Sequence, residues 1–294
     1  MKRILSDRIK VIAIVGATAS GKTSYSIELA KHIGGEIVSA DSRIIYKDFN
    51  IGAAKPTTEE MQGIPHYMID VAEPTFEYSA GLYIKQASEI IKDIHSRGKI
   101  PIVVGGTGLY IDILLTGYNL PETKPDKEFR DILSNMRVEE LYEKLKKNDK
   151  EAAQTIEPND KKKLVRALEI IKLTGKKLNQ SRSMSQSEYE VEWIGKNFER
   201  DILYKRINDR VDSMIEQGLI EETKGLLDKY GRTYNIVNTI GYREIIKYLD
   251  GFLSLDESVE LLKKNTRNYA KRQLTWFRKN SAIKWDIFPE KLSK

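Results

Sequence analysis

Residues 9–23 read IKVIAIVGATASGKT. The last eight of them, Gly16-Ala17-Thr18-Ala19-Ser20-Gly21-Lys22-Thr23, match G-x-x-x-x-G-K-[ST]. An apolar run over 9–15 precedes the motif and ends in glycine, as a buried parallel strand does. A helical stretch over 24–32 follows it. Strand, glycine turn and helix in that order form a phosphate cradle. The turn aims successive backbone N–H groups into one concavity, and the helix N-terminus adds positive potential. Lys22 supplies a mobile charge, and the Thr23 hydroxyl is the expected ligand for Mg²⁺. The motif specifies a polyphosphate without specifying ATP.

Working outward, residues 36–40 read as a second short strand. Apolar residues Tyr83, Ile84, Ala87, Ile90, Ile91 and Ile94 recur at a helical period. Residues 100–104 form another buried strand, closed by Gly105-Gly106. Strands alternating with helices predict a parallel sheet. The expected fold class is therefore α/β: a P-loop NTPase-like parallel sheet flanked by helices, with an inserted helical domain. From Tyr118 the composition turns charged and helix-favouring, and no buried strand stands out before about residue 200. Pro121 and Pro125 mark the start of this insert, and the polar stretch 181–186 lies near its end. The expected boundaries are 1–120 with 201–294 for the core and 121–200 for the insert. Beyond it, Ile207, Val211, Met214 and Ile215 share one helical face, and Gly218 fits a helix stop.

Two groups join the cradle on the sheet edge where open α/β folds bind ligands. Asp41 follows the second strand. It is either an N-cap or turn aspartate or a general base. Thr107, in Gly105-Gly106-Thr107-Gly108, follows a third strand and should face the same crevice. A base, a hydroxyl and a phosphate cradle describe a group-transfer site. No apolar strand ends in the metal-holding aspartate of a phosphate-hydrolysing enzyme. Asp70, in Tyr67-Met68-Ile69-Asp70, is either a degenerate version of it or a structural residue.

Composition excludes several classes. The 294 residues include no cysteine, so disulfide scaffolds, thiolate nucleophiles and cysteine metal sites are ruled out. With three histidines (His32, His66, His95) and no H-E-x-x-H, a histidine metal site is not expected. The longest apolar run, 11–15, is too short to span a membrane. The first ten residues are too polar for a secretory leader, and a cytoplasmic protein is expected. The net charge is +6. Residues 261–285 hold eight basic side chains and no acidic one, and without them the chain would be slightly acidic. Lys264, Arg267, Lys271 and Arg278 share a helical face, interleaved with Tyr269, Trp276 and Phe277. Such a local excess points to a polyanion, with a solvated helix face as the alternative. Lys161–163 and Arg166 form a second, weaker patch over a buried stripe of Leu164, Val165, Leu168 and Ile171.

Several blocks together resemble one family, the tRNA dimethylallyltransferases (tRNA isopentenyltransferases). They are GATASGKT (16–23), SADSRIIYKDFNIGAAKPT (39–57), PHYMIDV (65–71), YSAGLY (78–83) and PIVVGGTGLYIDILL (101–115). PNDKKKLVRALEI (158–170), KRINDRVDSMIEQGLIEE (205–222), IGYREI (240–245) and AKRQLTWFRK (270–279) follow in family order. The resemblance implies prenyl transfer from dimethylallyl diphosphate to the exocyclic amine of the adenosine 3′ of the anticodon in tRNA. It implies that the cradle holds the diphosphate with Mg²⁺, that Asp41 is the general base and that Thr107 positions the base. Arg210 would reach the diphosphate. The anticodon stem-loop would meet Asp41, Ser42, Arg43, Ile44, Thr107, Arg130, Lys162, Lys163, Leu164, Val165, Arg166, Gly241, Tyr242 and Arg243. A monomer is expected. Ala17, Ile44, Asp48 and Ala53 stand where family members commonly carry Pro, Gln, Gly and Thr. Competing readings are a small-molecule P-loop kinase with the insert as its lid, prenyl transfer to a free adenine nucleotide, and a non-catalytic RNA-binding module. The GGTGLY block and the basic C-terminus have no role in the first, the PNDKKKLVR block argues against the second, and intact Lys22, Thr23 and Asp41 oppose the third.

Overall fold

The computed structural model describes residues 8–119, 126–181, 183–184 and 186–288. Pro121 and Pro125 lie outside them. The chain divides into two compact units, 1–115 with 188–294, and 116–187.

In chain order the first unit begins with β1 (Ile9–Gly16), α1 (Lys22–Ile33), β2 (Gly35–Ser39), α2 (Thr58–Met61) and β3 (His66–Tyr67). It continues with α3 (Ala80–Ser96), β4 (Ile100–Gly105) and α4 (Gly108–Leu115). The second unit holds β5 (Tyr118–Asn119), α5 (Lys127–Asn135), α6 (Val138–Asn148), α7 (Lys150–Thr155), α8 (Lys161–Thr174) and β6 (Ser183–Met184). The first unit resumes with β7 (Tyr189–Phe198), α9 (Arg200–Glu216), α10 (Leu219–Tyr230), α11 (Tyr234–Asn238), α12 (Tyr242–Leu249), α13 (Leu255–Phe277) and β8 (Lys284–Phe288).

The main sheet has the order β3-β2-β4-β1-β7-β8, and every pairing in it is parallel. Central β1 is apolar from Val11 onward because helices cover both faces. On one face α3, capped by Ser79, buries Tyr83, Ala87, Ile91 and Ile94. The Tyr83 hydroxyl donates to Ser39 O at 3.0 Å, and its ring stacks on Tyr110 at 4.2 Å. On the other, α1 buries Ile27 and Ala30 against Ile14, Ile37 and Ile102. The phosphate loop and the β2 and β4 loops thus leave the sheet at one edge, where the site forms.

β7 corrects the expectation that no buried strand stands out between 118 and about residue 200. In β7, Tyr189 and Trp193 are buried while Glu190 and Glu192 are exposed. That alternation belongs to a strand with one covered face, and the charges hide it from a search for continuous apolar runs. β7 pairs with β1 along its length, so the core resumes at 188, before the composition changes. β8 then pairs with β7, and buried Lys196 reaches the Asp286 carboxylate and lies 3.8 Å from the Tyr25 ring centroid.

The 116–187 unit has its own core, built on Leu133, Leu141, Leu145, Leu164, Leu168 and Ile170. Its β5 and β6 pair antiparallel. No described helix is long and apolar enough to cross a membrane.

Candidate active site

Gly16 ends β1 at φ +150°, and a Cβ there would lie 2.1 Å from Lys196 O on β7. Glycine is required if the loop is to turn so close to the neighbouring strand. Gly21, also left-handed, caps α1, so the helix starts at Lys22. Ala17 and Ala19 pack with Leu203 and Ile207 of α9 and Ala270 of α13, which fixes the loop from behind. Thr18 N donates to Gln273 Oε1 at 2.8 Å, and Arg206 Nε donates to Ala19 O at 3.0 Å. Arg210 Nη1 lies 3.4 Å from Thr18 Oγ1. Buried Ser20 Oγ has no hydrogen-bond partner among the described residues.

Three cations, Lys22, Arg206 and Arg210, line the crevice around this loop. Burial, and then the Arg210 charge, lower the Lys22 ammonium to about 7, against an opposing pull from Asp41. Burial and the charge of Arg206 lower Arg210 in turn. A polyanion bound among them relieves this mutual repulsion. Thr23 is exposed and lines the same crevice, so its hydroxyl is available to a metal. No group of three or more His, Cys, Asp or Glu side chains that could hold a metal occurs among the described residues. The donor set therefore fits an ion carried mainly by phosphate oxygens rather than a protein cage.

Asp41 lies just beyond β2 in the same crevice, which has a volume of about 810 Å³. Its Oδ1 accepts Arg43 N at 2.8 Å, an Asx turn. The two readings of Asp41 are thus compatible: one oxygen shapes the turn, and the residue still faces the cavity. Thr107 N donates to Ala40 O at 3.1 Å, and Thr107 Oγ1 accepts Ser42 N at 3.0 Å, stitching the two loops together. Tyr269 of α13 hydrogen-bonds Thr107; burial, and then the Asp41 charge, push its phenol up to about 12. Arg43 Nη1 donates to Thr239 Oγ1 at 3.1 Å. The structure thus brings residues 18–23 of the cradle, Asp41, Ser42, Arg43, Thr107, Arg210, Gly241 and Arg243 to one crevice, while Ala17 is buried behind the loop.

Other expected residues are placed differently. Tyr242 is fully buried; its hydroxyl donates to Glu222 Oε1 at 2.7 Å and its ring packs 4.7 Å from Phe49. It is a core residue, because it starts the inward stripe of α12, which continues at helical spacing through Ile245 and Ile246. Ile44 borders the crevice but is only 8% exposed, and its carbonyl accepts Asp70 N. Asp70 pairs with Lys55 and does not line the crevice, which favours the structural reading. In the 116–187 unit, Leu164 and Val165 are buried, so their side chains meet the local core. Lys162 and Lys163 are exposed. Arg130 Nε and Arg166 Nη1 both bind the buried Glu169 carboxylate, at 2.7 and 2.5 Å. Burial alone would raise that carboxyl, but the two guanidinium bonds outweigh it and hold it below the usual range.

Helix α13 presents two opposite faces. Leu262, Thr266, Tyr269, Gln273 and Trp276 line the crevice, with Arg272 at their edge. Lys264, Arg267, Lys271 and Arg278 do not; at 3.6 residues per turn they fall on the far side. Arg267 Nη1 donates to Asn208 Oδ1 at 2.6 Å, and Lys263 pairs with Asp212 and Glu260. Arg206, Arg272 and Gln273 are crevice residues that motif reading missed. Arg206, one turn before Arg210 on α9, was within reach of a spacing argument.

Residues 44–280 match the family described as IPP transferase, and residues 9–75 match Isopentenyl transferase. A tRNA dimethylallyltransferase of Thermoanaerobacter sp. (strain X514) is 48% identical over 287 residues, covering 94% of this chain and 91% of that protein. Its counterpart in Halalkalibacterium halodurans is 45% identical over 283 residues, covering 94% and 90%. The full-length tRNA isopentenylpyrophosphate transferase from Bacillus halodurans superposes with a TM-score of 0.72 at 44% identity, covering 95% of this chain and 89% of that one. A eukaryotic dimethylallyltransferase acting on tRNA gives 0.82 at 32% identity, covering 95% and 74%.

Proposed function

Since this chain belongs to the IPP transferase family of tRNA dimethylallyltransferases, we propose that its crevice joins a dimethylallyl group to the exocyclic amine of the adenosine 3′ of the anticodon. The donor is dimethylallyl diphosphate. The observation that carries this reading is the placement of Asp41 and Thr107 in the same crevice as Lys22, Arg206 and Arg210.

The chemistry follows from that placement. An adenine amine is a weak nucleophile, because its lone pair is delocalised into the ring. Asp41 accepts its proton as the new N–C bond forms. The allylic C–O bond breaks on the other side, and charge grows on the departing diphosphate. Lys22, Arg206, Arg210 and the N-terminus of α1 stabilise that charge where it develops. Thr107, held by Ser42 N and Tyr269, orients the base. Mg²⁺, held by Thr23 and the diphosphate oxygens, would neutralise part of the leaving charge. No phosphoryl group moves, so the site needs no hydrolytic aspartate. The adenine must leave its stack to enter. We assign the anticodon stem-loop to Ser42, Arg43, Gly241 and Arg243 in the core, and to Arg130, Lys162, Lys163 and Arg166 in the insert. We further propose that the protein acts as a monomer and in the cytoplasm. The direct test is mass spectrometry of anticodon stem-loop RNA incubated with the protein, Mg²⁺ and dimethylallyl diphosphate. A gain of one dimethylallyl group on that adenosine is expected; an unmodified RNA refutes the assignment.

Diphosphate binding should take up a proton above neutrality. Lys22 in the free protein titrates at about 7, and a bound polyanion raises it. Between those two values binding charges the lysine, so affinity falls as pH rises. Below about 7 the lysine is already charged, and its contribution to the slope vanishes. Calorimetry with inorganic diphosphate at pH 8, in buffers of different ionisation enthalpy, reads this uptake. It should disappear in Lys22→Met; equal uptake in both proteins would assign the proton elsewhere.

RNA affinity should depend steeply on salt. Each phosphate contact adds about 0.9 to the log–log slope on duplex and about 0.7 on single strands. Replacing Lys264, Arg267 and Lys271 together by Ala should lower the slope by about two units. Transfer to saturating RNA should hardly change, because this face of α13 points away from the crevice. Filter binding across several salt concentrations provides the comparison, and an unchanged slope means that this face is merely solvated.

A further inference from the structure

We propose that Gln273 is a positioning residue whose carboxamide fixes the spacing between the phosphate loop and the loop that carries Thr107. The inference rests on the reading of the crevice as a donor–acceptor site. Gln273 Oε1 accepts Thr18 N at 2.8 Å, and Gln273 Nε2 donates to Gly106 O at 3.0 Å. Thr18 is the residue that Arg210 approaches on the donor side. Gly106 immediately precedes Thr107 on the acceptor side. One side chain, 6% exposed, therefore links both halves of the reaction.

The carboxamide suits this place chemically. The bridge needs an acceptor at one end and a donor at the other, within a single planar group. Glutamine supplies both, whereas a carboxylate only accepts and an ammonium only donates. Gly106 is shaped to receive it: a Cβ there would fall 2.1 Å from Gln273 Nε2, while its next contact outside Gln273, Gly16 O, is at an ordinary 3.6 Å. The helix that carries Gln273 is itself anchored at both ends of the bridge. Ala270 packs on Ala17 and Ala19, and Trp276 Nε1 donates to Asp112 Oδ2 on α4 at 2.8 Å. Neither amide atom is needed to form or break a bond, so Gln273 acts through the loops it joins. Misplacing reacting groups by about 1 Å costs on the order of 10²-fold in rate.

The test separates turnover from binding. Gln273→Leu removes both bonds at similar bulk. Gln273→Glu keeps the acceptor for Thr18 N but sets a carboxylate against Gly106 O. Both should lower kcat about 10²-fold, while Kd for inorganic diphosphate and for the stem-loop RNA stays within about threefold. Gly106→Ala displaces the amide from the opposite side and should reproduce the loss. Combined with Gln273→Ala, which makes room for the new methyl, it should add nothing further. If Gln273→Leu does not fold, Gly106→Ala and the double variant decide. Unchanged kcat, losses confined to Kd, or additive losses in the double variant would overturn the inference. A wild-type protein that modifies no RNA would instead remove the functional reading, and this inference with it.

Discussion

Asp41→Asn is expected to lower the single-turnover rate by roughly 10²–10⁴ while leaving the fold and both binding steps intact. The substitution is chosen for the geometry. The carboxylate has two tasks in the structure: Oδ1 accepts Arg43 N at 2.8 Å, and the residue faces the crevice between the cradle and Thr107. An amide keeps the first bond, because its oxygen still accepts, but it cannot take a proton from an adenine amine. Asp41→Ala loses both tasks. Comparing the two separates the turn from the base. If Asn keeps turnover within threefold of wild type and Ala does not, Asp41 only shapes the turn. If both fall together with unchanged melting temperature, it is the base.

Lys22→Ala and Arg210→Ala should each cost about 10²–10³ in the chemical step, the range for removing one preorganised stabiliser of developing charge. Ground-state affinity for the donor should fall less, because the charge on the bridging oxygen grows as the C–O bond breaks. The double variant should lose more than the sum of the two single losses. The Arg210 charge lowers Lys22, so removing Arg210 lets Lys22 hold its proton more firmly and partly compensates, and Lys22→Ala removes that compensation. Rapid-quench measurement with saturating RNA over a range of donor concentration separates the steps. An Arg210→Ala protein that melts earlier but turns over normally would move Arg210 out of the site and into the packing of α9.

What the sequence disclosed, and what it hid, follows from how each residue is specified. The phosphate loop was legible because one contiguous stretch carries its strand, its glycines and its lysine. Asp41 and Thr107 were legible because each ends a buried strand, and strand ends in a parallel sheet gather at one edge. β7 escaped because its glutamates interrupt every apolar run, although its alternation at 189–193 was there to be read. Tyr242 was misplaced because a motif is contiguous while a helix divides its residues between faces; Gly241 and Arg243 line the crevice, and Tyr242 between them starts the inward stripe. Leu164 and Val165 likewise lie on the inward face of α8, so their side chains meet the local core. Gln273 had no local signature. Its meaning lies in two loops more than 160 residues away in sequence, which only the packed helix brings together. The cationic stripe of α13 was visible, but not that it faces away from the reacting atoms.

The sheet also has a timetable. Central β1 needs β4 on one side and β7 on the other, and the 116–187 unit lies between those strands in the chain. At a synthesis rate of about 5–20 residues per second, that unit takes roughly 4–14 seconds to emerge. During this time β1 has an open edge, and the phosphate loop lacks α9 and α13 behind it. The intervening unit has a core of its own and closes on local contacts, so it can be complete while its host is still half a sheet. A nascent chain stalled near residue 185 therefore displays the whole phosphate-binding motif without a phosphate-binding site, together with an apolar strand open along one edge. The interval before β7 arrives is when this protein most needs protection from aggregation.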